Sequence, residues 1–106
     1  MSEKWLGEPP RVVRVPVSPS EARRRAVSAL EEDSRVSEVR VDEDGAVVAT
    51  LRTTWAIRAG RVRVIFAETN RGTDVSANVR IPHGIVGFTN RKSDAIVSTL
   101  LRRVSE

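Results

Sequence analysis

The C-terminal part of this chain, from Gly60 onward, combines two alternating segments, a tight turn and an amphipathic helix. Apolar side chains occupy every second position in residues 60–70 and 73–81, which predicts two half-buried β-strands joined at Asn70-Arg71-Gly72. From about Thr89 the apolar period changes to that of a helix. The stripe of this helix consists of Ile96, Val97, Leu100, Leu101 and Val104. Because such a stripe must be buried, we expect the helix to lie on one face of the sheet.

A strand and a helix are predicted before this region. Valines alternate in residues 11–17, and Pro16, which cannot donate to a ladder, should end this strand or place it at a sheet edge. Ser18, Pro19 and Glu21 then match an N-cap residue, a first-turn proline and the glutamate of a capping box. The predicted helix buries a face made mostly of small residues, Ala22, Ala26, Ala29 and Leu30.

A further hairpin is predicted between this helix and the C-terminal part. Residues 38–42 and 46–55 both alternate, and the turn Glu43-Asp44-Gly45 joins them. The alternation extends to Trp55, so we expect the second strand of this hairpin to be the longer one.

The predicted order of elements is therefore β-α-β-β-β-β-α. It indicates an α+β fold with a single antiparallel sheet and two helices packed on one of its faces, which leaves the other face open. Residues 11–106 suffice for one domain and are too few for two. Residues 1–10, which end in Pro9-Pro10, are expected to form an N-terminal tail.

The composition excludes several classes of protein. With 40% hydrophobic and 30% charged residues, the chain is typical of an ordinary folded domain. It has no cysteine, which excludes a disulfide framework and a thiolate metal site. No segment has the apolar length of a membrane span, and the N-terminus lacks the apolar core of a signal peptide. We therefore expect a soluble, cytoplasmic protein without a membrane partner.

The order of elements over residues 11–105 resembles that of the TATA-box-binding-protein half-repeat and that of a shortened helix-grip fold, as in START-like lipid-binding domains. A second resemblance rests on Gly87 and Asn90-Arg91-Lys92, which precede the stripe of the closing helix. This ending is similar to that of several small bacterial domains of unknown function. The helix-grip resemblance implies a small apolar ligand, and none of the resemblances transfers a catalytic residue.

Few residues could carry catalysis or bind a metal. His83 is the only histidine and lies in a predicted turn, where a solvated imidazole is commoner than a base or a ligand. No two types of metal ligand occur at a recognised spacing. A nucleophilic set would have to come from common residues, Ser76, Ser93, Asp74 and Asp94. We therefore predict no catalytic residue, no metal and no cofactor, and a protein that is not an enzyme.

Arginines give the chain a candidate basic surface. Residues 54–106 carry nine basic and four acidic residues, a net charge of +5, against −1 for residues 1–53. Strand alternation places five arginines on the open face of the sheet, Arg40, Arg52, Arg61, Arg63 and Arg80. They suit nucleic acid or another polyanion. However, we expect no stacking aromatic on that face, and Glu38, Asp42 and Asp74 share it, so cross-strand ion pairs are the favoured interpretation.

The sequence thus indicates a small non-enzymatic binding or interaction module of unknown partner. One alternative is a polyanion-binding or nucleic-acid-binding domain that uses the arginines of the open face. Another is a domain that binds a small apolar ligand between the closing helix and the sheet. A homodimer, formed through the open face or an exposed edge strand, is a further hypothesis, because two-fold pairing is the commonest assembly.

Overall fold

The computed structural model describes residues 6–53, 57–58, 60–80, 83–84 and 86–106, and the side chains of residues 11–53, 60–80 and 94–106. Within these residues an antiparallel sheet of five strands is covered by two helices. The elements are β1 (Leu6–Val15), α1 (Pro19–Glu31), β2 (Val36–Val41), β3 (Val47–Leu51), β4 (Ile57–Arg58), β5 (Arg61–Thr69), β6 (Gly72–Arg80), β7 (His83–Gly84) and α2 (Val86–Ser105). The predicted α+β class and order of elements are confirmed.

The spatial order of the sheet is β1-β6-β5-β3-β2, so β1 and β2 are its edge strands. All pairs in this sheet are antiparallel. The strands β4 and β7 form a separate pair of two residues each, which the sequence did not predict. Elements this short carry no periodic pattern, and only long-range pairing creates them.

One face of the sheet and the apolar faces of both helices form the core. The sheet contributes the predicted alternating residues, such as Val62 and Val64 of β5 and Val75 of β6, which are fully buried. The helices contribute the two predicted faces, and the largest fully buried side chains among them are Leu30 and Ile96. Thr73 is a buried polar residue whose hydroxyl donates to the Val17 carbonyl oxygen at 2.8 Å, so its polar group is satisfied.

Several predicted boundaries differ from the structure. The first strand ends at Val15, directly before Pro16, and is an edge strand, as Pro16 predicted, but it begins at Leu6 instead of Arg11. Residues 6–10 of the predicted tail are thus part of β1, which has a register shift between Leu6 and Arg11. Residues 1–5 lie outside the described residues.

The prediction of a long third strand was wrong within the described residues, and Trp55, its predicted end, lies outside them. β3 ends at Leu51, where the Leu51 amide donates to the Gly60 carbonyl oxygen at 2.8 Å. The ladder with β5 stops there because β5 begins only at Arg61, opposite Thr50. The prediction that the closing helix begins near Thr89 was also wrong, since α2 begins at Val86. Gly87 and Asn90 therefore lie inside this helix.

The predicted start of α1 is confirmed. The Ser18 hydroxyl accepts a hydrogen bond from the Glu21 amide at 3.2 Å, and Pro19 occupies the first turn. The carboxylate of Glu21 in turn accepts hydrogen bonds from Arg24 and Arg25. These two bonds lower the pKa of Glu21 from 4.5 to about 2. A negative charge in the first turn also interacts favourably with the positive end of the helix dipole.

The stabilising contribution of Glu21 should therefore depend on pH. Because its pKa is lower in the folded state than in the unfolded state, the contribution is present above pH 4.5 and is lost as the pH falls towards about 2. We expect Glu21→Gln to lower the free energy of unfolding at neutral pH, and this effect to shrink steadily as the pH falls from 4.5 through about 2. Urea denaturation of both proteins across this range measures the difference. A difference that does not change with pH would contradict the prediction.

Candidate functional site

The candidate site is the open face of the sheet, which we define as the face opposite the two helices. The strand registers arrange its side chains in rows that cross the sheet. The rows are Arg14, Asp74 and Ala67; Val12, Ser76 and Ile65; Asn78, Arg63, Val48 and Arg40; and Arg80, Arg61, Thr50 and Glu38. Side chains within one row are direct neighbours, about 5 Å apart at their Cβ atoms.

Four of the five arginines named from the sequence lie in these rows. Arg40 and Arg63 share a row, with the buried Val48 between them. Arg61 and Arg80 are directly opposite each other in the β5–β6 ladder. Arg52 lies beyond the end of β3, where its Nε donates to the Ser34 carbonyl oxygen at 2.8 Å. The Arg52 side chain is thereby held against the loop after α1, at the end of the sheet.

Carboxylates neutralise part of the open face. Asp42 forms an ion pair with Arg40 at 3.2 Å, and Asp74 accepts two hydrogen bonds from Arg14, at 2.8 and 3.3 Å. The two bonds from Arg14 to Asp74 form a bidentate contact, which is the strongest geometry for an arginine–carboxylate pair. The Arg14 guanidinium lowers the pKa of Asp74 below 3.8. Asp74 is thus the counter-ion of Arg14 in a cross-strand ion pair, whereas the pair of Arg40 and Asp42 joins two neighbouring positions of one chain segment.

Asp44, in the turn between β2 and β3, is a counter-ion that the sequence reasoning did not name. Its carboxylate accepts a hydrogen bond from the Ala46 amide at 3.0 Å and another from Arg63 at 3.0 Å. The bond from the Ala46 amide, together with that from Arg63, lowers the pKa of Asp44 below 3.8. The contact depends on how the turn folds back over the sheet, and strand alternation alone does not indicate it.

Arg61 differs from these arginines. Among the side chains that the structure describes, none forms an ion pair with Arg61. Its direct neighbours in the row are Arg80 and Thr50. The planar guanidinium of Arg61 has donors that suit the oxygens of a carboxylate or a phosphate. The small pocket beside Arg61 has a volume of about 40 Å³, which suits water and is far below the roughly 300 Å³ of small-molecule sites.

The open face also carries exposed apolar side chains. Val12 is 57% exposed and Ile65 is 46% exposed, and both flank Ser76 in one row. No aromatic side chain lies on the open face among the described residues; Phe66 faces the helices, with the Arg23 guanidinium 5.5 Å from its ring centre. Strand alternation places Val12 of β1 and Ile65 of β5 on the polar side of their strands. This alternation alone could have predicted the exposed patch.

The residues considered for catalysis are spread over the fold. Asp74 lies on the open face, whereas Asp94 pairs with Arg11 at 2.6 Å, between β1 and α2. His83 belongs to β7, where its main chain pairs with Arg58 instead of forming the predicted turn. The side chains of His83 and Ser93 lie outside the described residues. In the described part of the chain, no three of the His, Asp and Glu residues are grouped so that they could hold a metal ion.

No protein-family model matches this chain, and no curated protein matches it. Among solved structures, the chain is similar to the NMR solution structure of KanY protein (ms6282), with 16% sequence identity and a TM-score of 0.44. The match covers 95% of this chain and 100% of that chain. The resemblances to the TATA-box-binding-protein and helix-grip folds stay predictions. No helix among the described residues has an apolar stretch long enough to cross a membrane.

Proposed function

We propose that this protein is a non-enzymatic, cytoplasmic interaction module that binds an acidic protein surface with the open face of its sheet. The observation that carries the proposal is the combination on this face of Arg61, which forms no ion pair with the described side chains, with the exposed patch of Val12 and Ile65. Arg61 favours a carboxylate, and the patch favours an apolar side chain. A protein surface can offer both.

The residue types of the open face support this class of partner. Protein interfaces are enriched in arginine and depleted in lysine, and they surround an apolar centre with a polar rim. All cations in the rows of the open face are arginines, and the apolar residues lie one row away from Arg63. Exposed valine and isoleucine gain from burial roughly 25 cal/mol per Å² of apolar surface. A phosphate backbone offers no matching apolar surface.

A nucleic acid is the second candidate for the same face. It is favoured by the adjacent placement of Arg61, Arg63 and Arg80. Asn78, a further hydrogen-bonding side chain, lies opposite Arg63 in the ladder and two residues before Arg80 on β6. Against it are the ion pairs of Arg14, Arg40 and Arg63 with neighbouring carboxylates. The described open face also lacks the aromatic side chains on which single-stranded nucleic acids stack.

The packing disfavours an apolar ligand between α2 and the sheet. Ile96, Leu100 and Val104 point from α2 towards the sheet and are 0 to 2% exposed. They belong to one continuous cluster with the buried residues of β5 and β6. Along residues 94–106, where the side chains of α2 are described, the space between this helix and the sheet is occupied by side chains of the core.

An NMR titration of the ¹⁵N-labelled protein tests the proposal. The probes are an acidic peptide of alternating glutamate and leucine, and mixed duplex and single-stranded oligonucleotides. We expect the peptide to cause saturable shifts of amide signals in β5 and β6, and Arg61→Ala to weaken its binding several-fold. Arg102→Ala, which removes an exposed arginine of α2, should leave the binding unchanged.

Two results would contradict the proposal. Absence of saturable shifts with the peptide would exclude an acidic partner of this type. Tighter binding of the oligonucleotides, with affinity that falls steeply as salt rises, would assign the face to nucleic acid, since the logarithm of affinity falls with the logarithm of salt concentration by about 0.9 per phosphate contact on duplex DNA.

A further inference from the structure

The two edges of the sheet differ in how they are protected. Pro9 and Pro10 lie within β1, Pro16 follows it directly, and its register is interrupted between Leu6 and Arg11. Proline has no amide donor, so this edge is a poor template for another strand. The other edge strand, β2, contains no proline. Its outer side has no partner strand among the described residues. This edge is therefore available for strand addition.

The register of the β2–β3 hairpin shows which backbone groups of β2 point outward. The Asp42 amide donates to the Ala46 carbonyl oxygen at 2.8 Å, so Asp42 is a hydrogen-bonded position of the hairpin. In an antiparallel ladder such positions alternate along the strand. Glu38 and Arg40 therefore direct their backbone groups to β3, whereas Val39 and Val41 direct theirs away from β3, to the outer edge of the sheet. Their amides and carbonyls are ready to bond to an added strand.

We propose that β2 pairs with β2 of a second copy of this chain, antiparallel and centred on Val39. The charges of the strand support this occupant and are complementary in this register. Centring on Val39 places Glu38 opposite Arg40 of the second copy, and by symmetry Arg40 opposite Glu38 of the second copy. Shifting the centre by one residue places either two glutamates or two arginines opposite each other, which is unfavourable. The strand is thus electrostatically complementary to itself.

An apolar groove beside the same edge supports the pairing. Val41 is 51% exposed although its side chain is on the helix side of the sheet, where its cross-strand partner Val47 is fully buried. Between Val41 and α1 runs an open groove of about 370 Å³, lined by Val27, Arg24 and Glu31 among others. The two copies are related by a two-fold axis perpendicular to the sheet, so the helices of both copies lie on the same side of the joined sheet. The groove of each copy then faces the other copy. The two five-stranded sheets form one continuous ten-stranded sheet.

The inferred interface is small. It consists of one short ladder and the groove, and stable interfaces commonly bury about 800 Å² per partner. We therefore expect the dimer to form at micromolar protein concentration. Glu38 and Arg40 of the interface line the small pocket beside Arg61, whereas Val12 and Ile65 lie farther from β2 in the sheet. The two open faces lie on the same side of the joined sheet and form one continuous surface. The inference does not depend on what that surface binds.

Charge reversal within β2 tests the dimer and its register. Analytical ultracentrifugation should show the native chain in reversible equilibrium between monomer and dimer. Glu38→Arg and Arg40→Glu should each weaken association at least about ten-fold, because each variant creates two like-charge pairs. The double variant that carries both substitutions should restore association. Glu68→Arg is the matched control, since it makes the same charge change at an exposed position near the far end of β5 and should have no effect.

A proline substitution tests the backbone ladder independently of charge. The Val41 amide points away from β3, so Val41→Pro keeps the hairpin and removes an outward donor. We expect this variant to be monomeric and to keep the circular dichroism spectrum of the native chain. A native chain that is monomeric at high micromolar concentration would overturn the inference. A dimer that resists both single charge reversals would overturn it as well, because another surface would then mediate association.

Discussion

Gly72→Ala is expected to destabilise the fold by about 3 to 5 kcal/mol, because both the backbone conformation and the space around Gly72 exclude a side chain. Gly72 begins β6 with a φ of +131°, a region that only glycine adopts readily. A Cβ atom at this position would lie 2.0 Å from the Val15 carbonyl oxygen and 2.9 Å from the Pro16 Cα. These are backbone atoms of the neighbouring chain segment, so relief requires β1 and β6 to separate. Denaturation by urea measures the loss.

Gly45→Ala is the matched control for this prediction. Gly45 also has a positive φ, of +85°, but a Cβ atom there would meet the end of the Arg23 side chain at 2.9 Å. That side chain is flexible and can move, although its Nε bond to the Gly45 carbonyl oxygen weakens. We expect Gly45→Ala to cost about 1 to 2 kcal/mol. Equal losses in the two variants would show that the contact between β6 and the end of β1 does not restrict Gly72.

The parts of the fold that were predicted correctly depend on local chemistry. The start of α1 follows from three residues within one turn: the Ser18 hydroxyl accepts from the Glu21 amide, and Pro19 has no amide that needs a partner. The core faces of β5 and β6 follow from alternation in two strands joined by a two-residue loop. Neighbours in sequence are also neighbours in space at these positions. The pattern therefore determines both which residues are buried and how the strands pair.

The boundaries that were wrong depend on distant segments. The alternation of residues 46–55 continues past Leu51, yet a strand lasts only while a partner strand is beside it, and β5 begins at Arg61. In the same way, β1 extends back to Leu6 because β6 lies alongside it up to Val79. Neither limit is visible in the segment itself. Local periodicity thus gives the faces of strands more reliably than their ends.

The open face shows the same division between local and distant information. Alternation placed Arg40, Arg61, Arg63 and Arg80 on one side of the sheet, and the registers show these four in two adjacent rows. The pairing of Arg63 with Asp44 required the shape of the β2–β3 turn. The difference between the two edges could not be predicted without the order of the strands, because β1 and β2 lie at opposite edges of the sheet although they are close in sequence.

Leu100→Ala is expected to lower the free energy of unfolding by about 2 to 5 kcal/mol. Leu100 is 2% exposed and lies one turn from Ile96 and Val104 on the face of α2 that covers the sheet. Removing its side chain loses the transfer free energy of the buried carbons and leaves a cavity. The walls of that cavity belong to a sheet and a helix that cannot close together without disturbing other contacts. Urea denaturation gives the change in the free energy of unfolding, provided that its dependence on urea concentration is the same in the variant and the native chain.

Two further variants make this prediction specific to the docking of α2. Leu101→Ala, at an 8% exposed position of the same helix, should cost an amount in the same range, because its side chain also belongs to the core cluster. Ile65→Ala, which truncates a 46% exposed residue of the open face, should cost less than about 1 kcal/mol. The contrast is informative because leucine and isoleucine have similar transfer free energies, whereas the higher helix propensity of alanine would by itself favour the Leu100 variant. A larger loss at Leu100 therefore reflects its burial. A midpoint unchanged by Leu100→Ala and Leu101→Ala would mean that α2 is not docked on the sheet in solution.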